Sequence, residues 1–193
     1  MIYCRSYKIK IYYNTLKMRV FIAIDLPESL KEKIFSIYPY VKGVRGKFVE
    51  KENLHITLKF LGEIQPNIVN KVKEALSQIE FEQFKVRVKG LGLFGNRVLW
   101  IGIPTGFDNI VKLHEIIDKK LSELGFEEDF RFHPHITILR IKNILNRRDF
   151  EHFLEEFKNY EFGEFHVTEF KLKQSILRPE GPLYLDIKSF KLK

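Results

Sequence analysis

One tetrapeptide form, His-Ile-Thr-(Leu/Ile), occurs twice in this 193-residue chain, at His55–Leu58 and again eighty residues later at His135–Ile138. Both copies lie in apolar segments with the character of β-strands, Asn53–Leu58 and His133–Ile138. Because successive side chains of a strand point to opposite faces, each histidine shares a face with its threonine, while the isoleucine points the other way into a core. The recurrence predicts two similar lobes whose motif strands face each other across a cleft.

Two imidazoles and two hydroxyls in one cleft can transfer protons and bind an anion. The ordinary histidine pKa of about 6.5 allows one ring to act as a neutral base and the other as a protonated acid near neutral pH. The threonine hydroxyls can donate hydrogen bonds to anionic oxygens held between the strands. A phosphate ester fits this set, because imidazolium and hydroxyl donors can stabilise the developing charge. The pattern predicts cleavage of a phosphate ester, and we expect no metal and no other cofactor.

The context of the two motifs, ENLHITLKFLGE and FHPHITILR, resembles the 2H phosphoesterase superfamily and, within it, the RNA 2′,3′-cyclic phosphodiesterase branch, also called 2′-5′ RNA ligase-like. The resemblance extends from Met18 to the C-terminus and includes MRVFIAIDLP, the stretch Phe94–Trp100 and QSILRPEGPLY. It implies a bilobal α+β fold with a pseudo-two-fold axis, flanking helices and a catalytic cleft between the lobes. It also implies metal-independent hydrolysis of a 2′,3′-cyclic phosphate at an RNA 3′ end to a 2′-phosphomonoester.

The resemblance implies a role for each motif residue. His55 would be the proton donor to the leaving 3′ oxygen, and His135 the proton acceptor that activates water. The implied substrate-binding residues are Thr57, Thr137 and Arg140. Strict alternation places Arg140 on the face opposite His135, so its role requires the strand to bulge or end near Leu139.

The rest of the chain alternates between strand-like and helix-like apolar spacing. Predicted strands cover 19–25, 48–62, 86–93, 98–103, 135–141, 165–173 and 183–190. Predicted helices cover 27–40, 68–79, 108–125 (with Asp108 as the cap) and 147–157. Several strands are neighbours across short turns, so we expect two mostly antiparallel sheets in an α+β fold. No GxGxxG follows a strand and no GxxxxGK[ST] is present, which argues against a doubly wound nucleotide fold.

The charge balance bears on the partner. The chain has 33 Lys+Arg against 25 Asp+Glu, a formal net charge of +8. Such a surface favours polyanions, of which RNA and DNA are the commonest. The family resemblance implies RNA with 2′,3′-cyclic phosphate ends, tRNA fragments among them, as the partner. A surface of charged side chains that serves only solvation, as in heat-adapted proteins, would give the same balance of charges.

Cysteine content and hydropathy limit the compartment. The single cysteine, Cys4, cannot form an internal disulfide, which excludes a secreted disulfide scaffold and favours the cytoplasm. No apolar run approaches the ~18 residues of a membrane span, so no membrane partner is expected. We expect a monomer.

The first seventeen residues differ in character from the remainder of the chain. Residues 1–17 are basic and aromatic, without an apolar segment long enough for a secretory signal, and a second methionine, Met18, opens the first predicted strand. We expect residues 1–17 to be a loose extension or the product of an upstream start. Residues 18–193 are expected to form a single bilobal domain.

Other interpretations of the same residues stay open. His133, with His135 and His55, could supply three zinc ligands, but no carboxylate or cysteine accompanies them and the motif threonines would be unexplained. The remaining histidines are expected to be structural; they are His114, His152 and His166. Rival functions for the cleft are 2′-5′ RNA ligation, turnover of a small cyclic nucleotide, and RNA binding without catalysis.

Aromatic side chains could hold an RNA base at the edge of the cleft. The candidates are Phe48, Phe60 and Tyr184. Phe60 occupies in the first copy the place that Arg140 occupies in the second, so we expect the two halves to be functionally unequal.

Overall fold

A computed structural model describes residues 17–193; residues 1–16, which make up nearly all of the expected N-terminal extension, lie outside the described part. The elements are β1 (Met18–Asp25), α1 (Glu28–Phe35), β2 (Val44–Phe48), β3 (His55–Ile64), α2 (Pro66–Leu76), β4 (Phe84–Phe94), β5 (Val98–Thr105), α3 (Phe107–Ser122), β6 (Ile136–Ile144), α4 (Arg147–Phe157), β7 (Glu161–Val167), β8 (Glu169–Ile176) and β9 (Leu183–Lys191). Single turns of 3-10 helix lie at Tyr38–Tyr40 and Lys51–Asn53.

The strands form two antiparallel sheets. The first sheet has the order β3-β1-β8-β9 and the second has the order β2-β6-β5-β4-β7. All neighbouring strands pair antiparallel. The expected α+β fold with two antiparallel sheets and flanking helices is confirmed.

The two lobes repeat one arrangement. With β2 set aside, the order β6-β5-β4-β7 in the second sheet matches the order β3-β1-β8-β9 in the first. The order along the chain repeats as well, because β1-α1 leads to β3-α2 and β5-α3 leads to β6-α4. The expected bilobal, pseudo-two-fold arrangement is therefore confirmed.

One contiguous core joins the lobes. β1 lies between β3 and β8, and its residues from Val20 to Ile24 are buried, as its unbroken apolar run predicts. The same cluster of buried apolar side chains includes Ile101 in β5 and Ile138 in β6 of the second sheet. Burying such a side chain contributes about 1.5–3 kcal/mol.

Several predicted helix ends are wrong. α2 ends at Leu76 instead of Ile79, and α3 ends at Ser122 instead of at Gly125. α1 ends at Phe35 instead of near Tyr40, because Pro39 has no N–H to donate to the Phe35 carbonyl. Asp108 is not the cap of α3: the helix begins at Phe107 after Gly106, whose φ of 82° suits glycine. Asp108 lies instead in the first turn, where its charge complements the helix dipole.

Two predicted extended segments each comprise two strands. The segment 48–62 contains the end of β2, a 3-10 turn and most of β3. The segment 165–173 contains the end of β7 and the start of β8, which belong to different sheets and are separated only by Thr168. The alternation of apolar residues shifts by one position at this switch, because the buried residues Val167 and Phe170 lie three residues apart.

No helix within residues 17–193 has the length and apolar character that crossing a bilayer requires.

β2 connects the lobes in an unexpected way. It precedes β3 in the chain, yet it pairs with β6 in the second sheet. Gly43, just before β2, has a φ of 74°, and its carbonyl accepts hydrogen bonds from the N–H groups of Leu145 and Asn146 at 2.8 and 2.9 Å. A Cβ at Gly43 would lie 2.2 Å from the Asn146 oxygen. Only glycine fits there without displacing β2.

We expect Gly43→Ala to destabilise the fold by more than about 1 kcal/mol, because it adds a clash to an unfavourable φ. Gly62→Ala is the matched control, since Gly62 has a similar φ of 71° and nothing within 4 Å of its missing Cβ. Denaturant unfolding of both variants checks this. Equal losses of stability in the two variants would contradict the close contact between Gly43 and the Asn146 carbonyl.

Candidate active site

The two motif strands have the same burial pattern. Over nine successive positions, Ile56–Ile64 in β3 and Ile136–Ile144 in β6, buried, half-buried and exposed residues follow in the same order. Each run contains two consecutive buried residues, Leu58-Lys59 and Ile138-Leu139, where regular alternation would expose one of the two. The strands are therefore structural repeats, residue for residue.

A β-bulge explains the consecutive buried residues. In β3, Lys59 pairs with Ile22 and Thr57 pairs with Ala23, so Leu58 is an extra residue. β6 has the same irregularity at Ile138. A bulge shifts the alternation of side chains by one position. The residue after the two consecutive buried ones therefore lies on the same face as the threonine.

The bulge directs Arg140 toward the cleft. Arg140 follows Leu139 and lines the same cavity as His135, so the bulge that its predicted role requires is present. Phe60, the equivalent residue of β3, lines this cavity as well.

A cavity of about 310 Å³ lies between the two sheets. The structure brings together in its lining all five residues that the sequence analysis assigned to the site, namely His55, Thr57, His135, Thr137 and Arg140. Thus one anion placed here can be reached from both lobes.

Both histidine rings are oriented by the same local hydrogen bond. Nδ1 of His55 donates to the carbonyl of Asn53 at 2.6 Å, and Nδ1 of His135 donates to the carbonyl of His133 at 2.7 Å. Because a neutral ring carries one proton, this bond leaves the lone pair on Nε2. Nε2 of His55 lies 2.9 Å from the Thr57 hydroxyl, which donates to it in this tautomer.

Aromatic packing makes both rings poor proton binders in the empty cleft. The His55 ring lies 5.2 Å from the Phe21 ring and 5.4 Å from the Tyr184 ring, between centroids. Burial lowers the pKa of His55 to about 4, against the opposing effect of its bond to the Asn53 carbonyl. Burial also lowers the pKa of His135, whose ring meets Phe94 edge-on at 4.8 Å. Without a bound anion, both rings are neutral near pH 7.

Two cations face each other at one wall of the cavity. Lys47 in β2 lies opposite Arg140 in β6, and both line the cavity. Like charges at directly opposed positions repel each other. The Lys47 ammonium lies 3.6 Å from Glu50, whereas Arg140 has no carboxylate partner within residues 17–193. A bound anion would relieve this repulsion, which suits a phosphate site.

Behind the cleft, a buried ion pair that the sequence analysis missed joins the lobes. Lys59, in the bulge of β3, pairs with Asp118 of α3 and donates to the Glu127 carbonyl at 2.7 Å. Both side chains are almost fully buried, with 7% and 6% exposed. The other Asp118 oxygen accepts from the Asp129 N–H at 2.6 Å. The sequence repeat could have revealed that Lys59 is buried, because the apolar residue Leu139 occupies the equivalent position of the second motif strand.

His114 extends this network. Its ring lies 2.8 Å from the Leu58 carbonyl and 3.2 Å from the Asp129 carbonyl, and it stacks on Phe132 with centroids 3.8 Å apart. The expected structural role of His114 agrees with this burial. The network ties the first motif strand to the segment that leads into His135.

The side chains of the remaining histidines do not line the cavity. The His133 ring packs against Phe94, Trp100 and Phe107, and the side chains of His152 and His166 are exposed. Among residues 17–193, no group of three or more His, Cys, Asp or Glu side chains is placed to hold a metal ion.

Comparison with known families agrees with the internal repeat. A family model described as LigT like Phosphoesterase matches the chain twice, over residues 24–100 and 101–184. Each match contains one of the two motifs.

Relatives and solved structures extend this similarity over most of the chain. An RNA 2′,3′-cyclic phosphodiesterase of Methanocaldococcus jannaschii is 42% identical over 90% of this chain and 100% of the relative. One of Archaeoglobus fulgidus is 39% identical over 90% and 99%. The crystal structure of Escherichia coli LigT complexed with 3′-AMP matches with a TM-score of 0.78 and 26% identity, over 92% of this chain and 99% of that one.

Acid should weaken the fold through His55. The unfolded chain binds a proton on this residue below its ordinary pKa of about 6.5, whereas the folded chain does so only near its pKa of about 4. The free energy of unfolding therefore falls between these two values, by up to about 3 kcal/mol from this group. We expect the free energy of unfolding of His55→Asn to fall less steeply between these two pH values, and denaturant unfolding at several pH values in this range measures it. Parallel curves for variant and parent would contradict the burial of a neutral ring.

Lys59→Met should destabilise the fold by about 3–5 kcal/mol, because it leaves the Asp118 carboxylate buried and unpaired. Lys59→Met combined with Asp118→Leu should recover part of that loss. The matched control is Arg87→Met, which breaks an exposed pair with Glu161 and should change stability little. Denaturant unfolding measures all three. A double variant no more stable than the single one would show that the pair is not the cause.

Proposed function

The chain belongs to the LigT-like phosphoesterase family, and on that basis we propose that it hydrolyses the 2′,3′-cyclic phosphate at RNA 3′ ends to a 2′-phosphomonoester. The observation that carries the proposal is the matched pair of histidines, each held by Nδ1 on a local carbonyl, on opposite walls of one cavity. The name shared by the curated relatives supports the choice of substrate.

In the proposed reaction His135 is the base. Its Nε2 carries the lone pair and takes a proton from water, whose oxygen attacks the phosphorus atom. The bond from phosphorus to the 3′ oxygen breaks, and Nε2 of His55 gives its proton to that oxygen. The products are a 2′-phosphate and a 3′-hydroxyl, and the proton on His135 passes to solvent while His55 regains one.

Binding of the substrate allows His55 to carry a proton. In the empty cleft the pKa of His55 is about 4, mainly because of burial. A phosphate anion beside the ring favours the imidazolium and raises that pKa. His55 thus becomes an acid when the cleft holds its substrate.

The remaining site residues bind the phosphate. Thr57, 2.9 Å from Nε2 of His55, and Thr137 can donate to non-bridging oxygens, and the Arg140 guanidinium can bind the same anion through two parallel N–H groups. This set stabilises the charge that develops on the phosphate.

Further expectations belong to the same proposal. The RNA ends include those of tRNA fragments, the enzyme acts as a monomer in the cytoplasm, and residues 18–193 form its single domain. Size-exclusion chromatography with light scattering checks the monomer.

We expect His55→Ala and His135→Ala each to lower the rate by about 10²- to 10⁴-fold without loss of folding, because each removes one proton-transfer partner. The assay uses an RNA oligonucleotide ending in a 2′,3′-cyclic phosphate and identifies the product isomer. His152→Ala is the control, since this ring is exposed on α4. A 3′-phosphate product, or near-normal turnover by either cleft variant, would contradict the assignment.

A further inference from the structure

The side chain of Asn53, two residues before His55, joins distant parts of the chain. Its amide nitrogen Nδ2 donates to the Pro182 carbonyl at 2.8 Å, across 129 residues of sequence, and to a carboxylate oxygen of Glu50 at 3.2 Å. An amide nitrogen carries two hydrogens, so both bonds form together. Asn53 thus ties the turn before the first motif to the segment that leads into β9.

The backbone of the same residue orients the His55 ring. The Asn53 carbonyl accepts the Nδ1 hydrogen of His55 at 2.6 Å, and the Asn53 N–H donates to the Glu50 carbonyl at 2.9 Å. This part of the chain is a single turn of 3-10 helix, Lys51–Asn53, whose hydrogen-bond geometry is poorer than that of an α-helix. The side-chain bonds of Asn53 therefore add a restraint that the turn alone lacks.

The segment that Asn53 holds also contacts the His55 ring. Tyr184 follows Pro182 by two residues, and its ring meets the imidazole edge-on with centroids 5.4 Å apart. Loss of the bond between Asn53 and Pro182 would loosen two supports of one imidazole. They are the carbonyl at Nδ1 and the phenol ring beside it.

A competing arrangement of the His55 ring is available. The Thr57 hydroxyl lies 2.9 Å from Nε2, and a hydroxyl can accept a hydrogen bond as well as donate one. A neutral ring with its proton on Nε2 would donate to Thr57 and leave the Asn53 carbonyl without its hydrogen. In the proposed reaction, however, His55 gives up the Nε2 proton and keeps the one on Nδ1. An acceptor fixed at Nδ1 favours the form that the reaction needs.

The second motif fixes the equivalent carbonyl by other means. His133 is the counterpart of Asn53, and its carbonyl accepts from Nδ1 of His135 at 2.7 Å. The His133 ring packs against three aromatic rings. Apolar packing therefore anchors this residue, whereas hydrogen bonds anchor Asn53. A substitution at Asn53 leaves the support of His135 intact.

We propose that Asn53 is the positioning residue of the catalytic acid: its amide, bonded to Glu50 and Pro182, fixes the carbonyl that holds Nδ1 of His55. This inference rests on the proposed function, because His55 is the acid only in that reaction. Asn53 acts through the orientation of His55 and transfers no proton itself.

Nitrogen NMR of the imidazole rings tests the proposal without a substrate. At pH 7 His55 is neutral in the empty cleft, because burial lowers its pKa to about 4. We expect the proton on Nδ1 in the parent, and on Nε2 in part of the molecules of Asn53→Ala. The spectrum of His55→Ala identifies the His55 signals by their loss. Asn70→Ala is the control, since Asn70 is an exposed asparagine of α2, and it should keep the parent pattern.

Kinetics with an RNA oligonucleotide ending in a 2′,3′-cyclic phosphate give the second measurement. We expect Asn53→Ala to lower kcat by about 10- to 100-fold with little change in KM, because a displaced acid slows the reaction more than binding. The bond to the Asn53 carbonyl raises the pKa of His55, so its weakening should move the alkaline limb of the kcat profile to lower pH. The charged groups that act on His55, namely Lys173, Asp25 and Lys31, are the same in both proteins.

Asn53→Asp covers the case in which the alanine variant does not fold. A carboxylate has the shape of the amide but no hydrogen to donate, so the same change of tautomer is expected. The parent tautomer in a folded variant, or an alkaline limb of Asn53→Ala that does not move, would overturn the positioning role. If the parent does not hydrolyse the RNA, the proposed function fails, and the tautomer still decides whether Asn53 fixes the His55 ring.

Discussion

The buried contact between Lys59 and Asp118 links the two lobes behind the cleft. Two charges removed from water are stable only when paired and hydrogen-bonded, and these two also bind the backbone at Glu127 and Asp129. The pair thus holds the first motif strand, helix α3 and the segment leading to His135 in one arrangement. A shift of either lobe would separate this buried ion pair, so the pair, together with the shared apolar core, resists a change in the distance across the cleft.

The two motifs share the same local geometry but lie in different surroundings. Each motif histidine is held by its Nδ1 on the carbonyl two residues earlier, and each motif strand bulges after its threonine. What differs is the surroundings of the rings and the residue after the bulge. His55 packs against Phe21 and Tyr184, whereas His135 packs against Phe94. A duplicated scaffold can therefore place two histidines in different surroundings, and a cation and an aromatic ring at equivalent positions, around one cavity.

Local patterns predicted the features that depend on local geometry. The alternation in the two motifs correctly paired each histidine with its threonine, and the spacing of helix α4 correctly gave 147–157. The pairing of β2 with β6 was missed, because strand partners are chosen by long-range contacts that leave no local pattern. The partner of Lys59 was missed for the same reason, since Asp118 lies on a distant helix. The sheet switch at Thr168 was missed although the alternation of apolar residues shifts there by one position.

The path of the chain between the sheets has a mechanical consequence. β1 lies in the first sheet, β2 in the second, β3 in the first, β4 to β7 in the second, and β8 and β9 in the first, so the backbone crosses between the lobes four times. Clamshell enzymes swing about a few hinge residues, and four crossings leave no such pivot. Four crossings instead favour a cleft whose width changes little when a ligand enters by its open side.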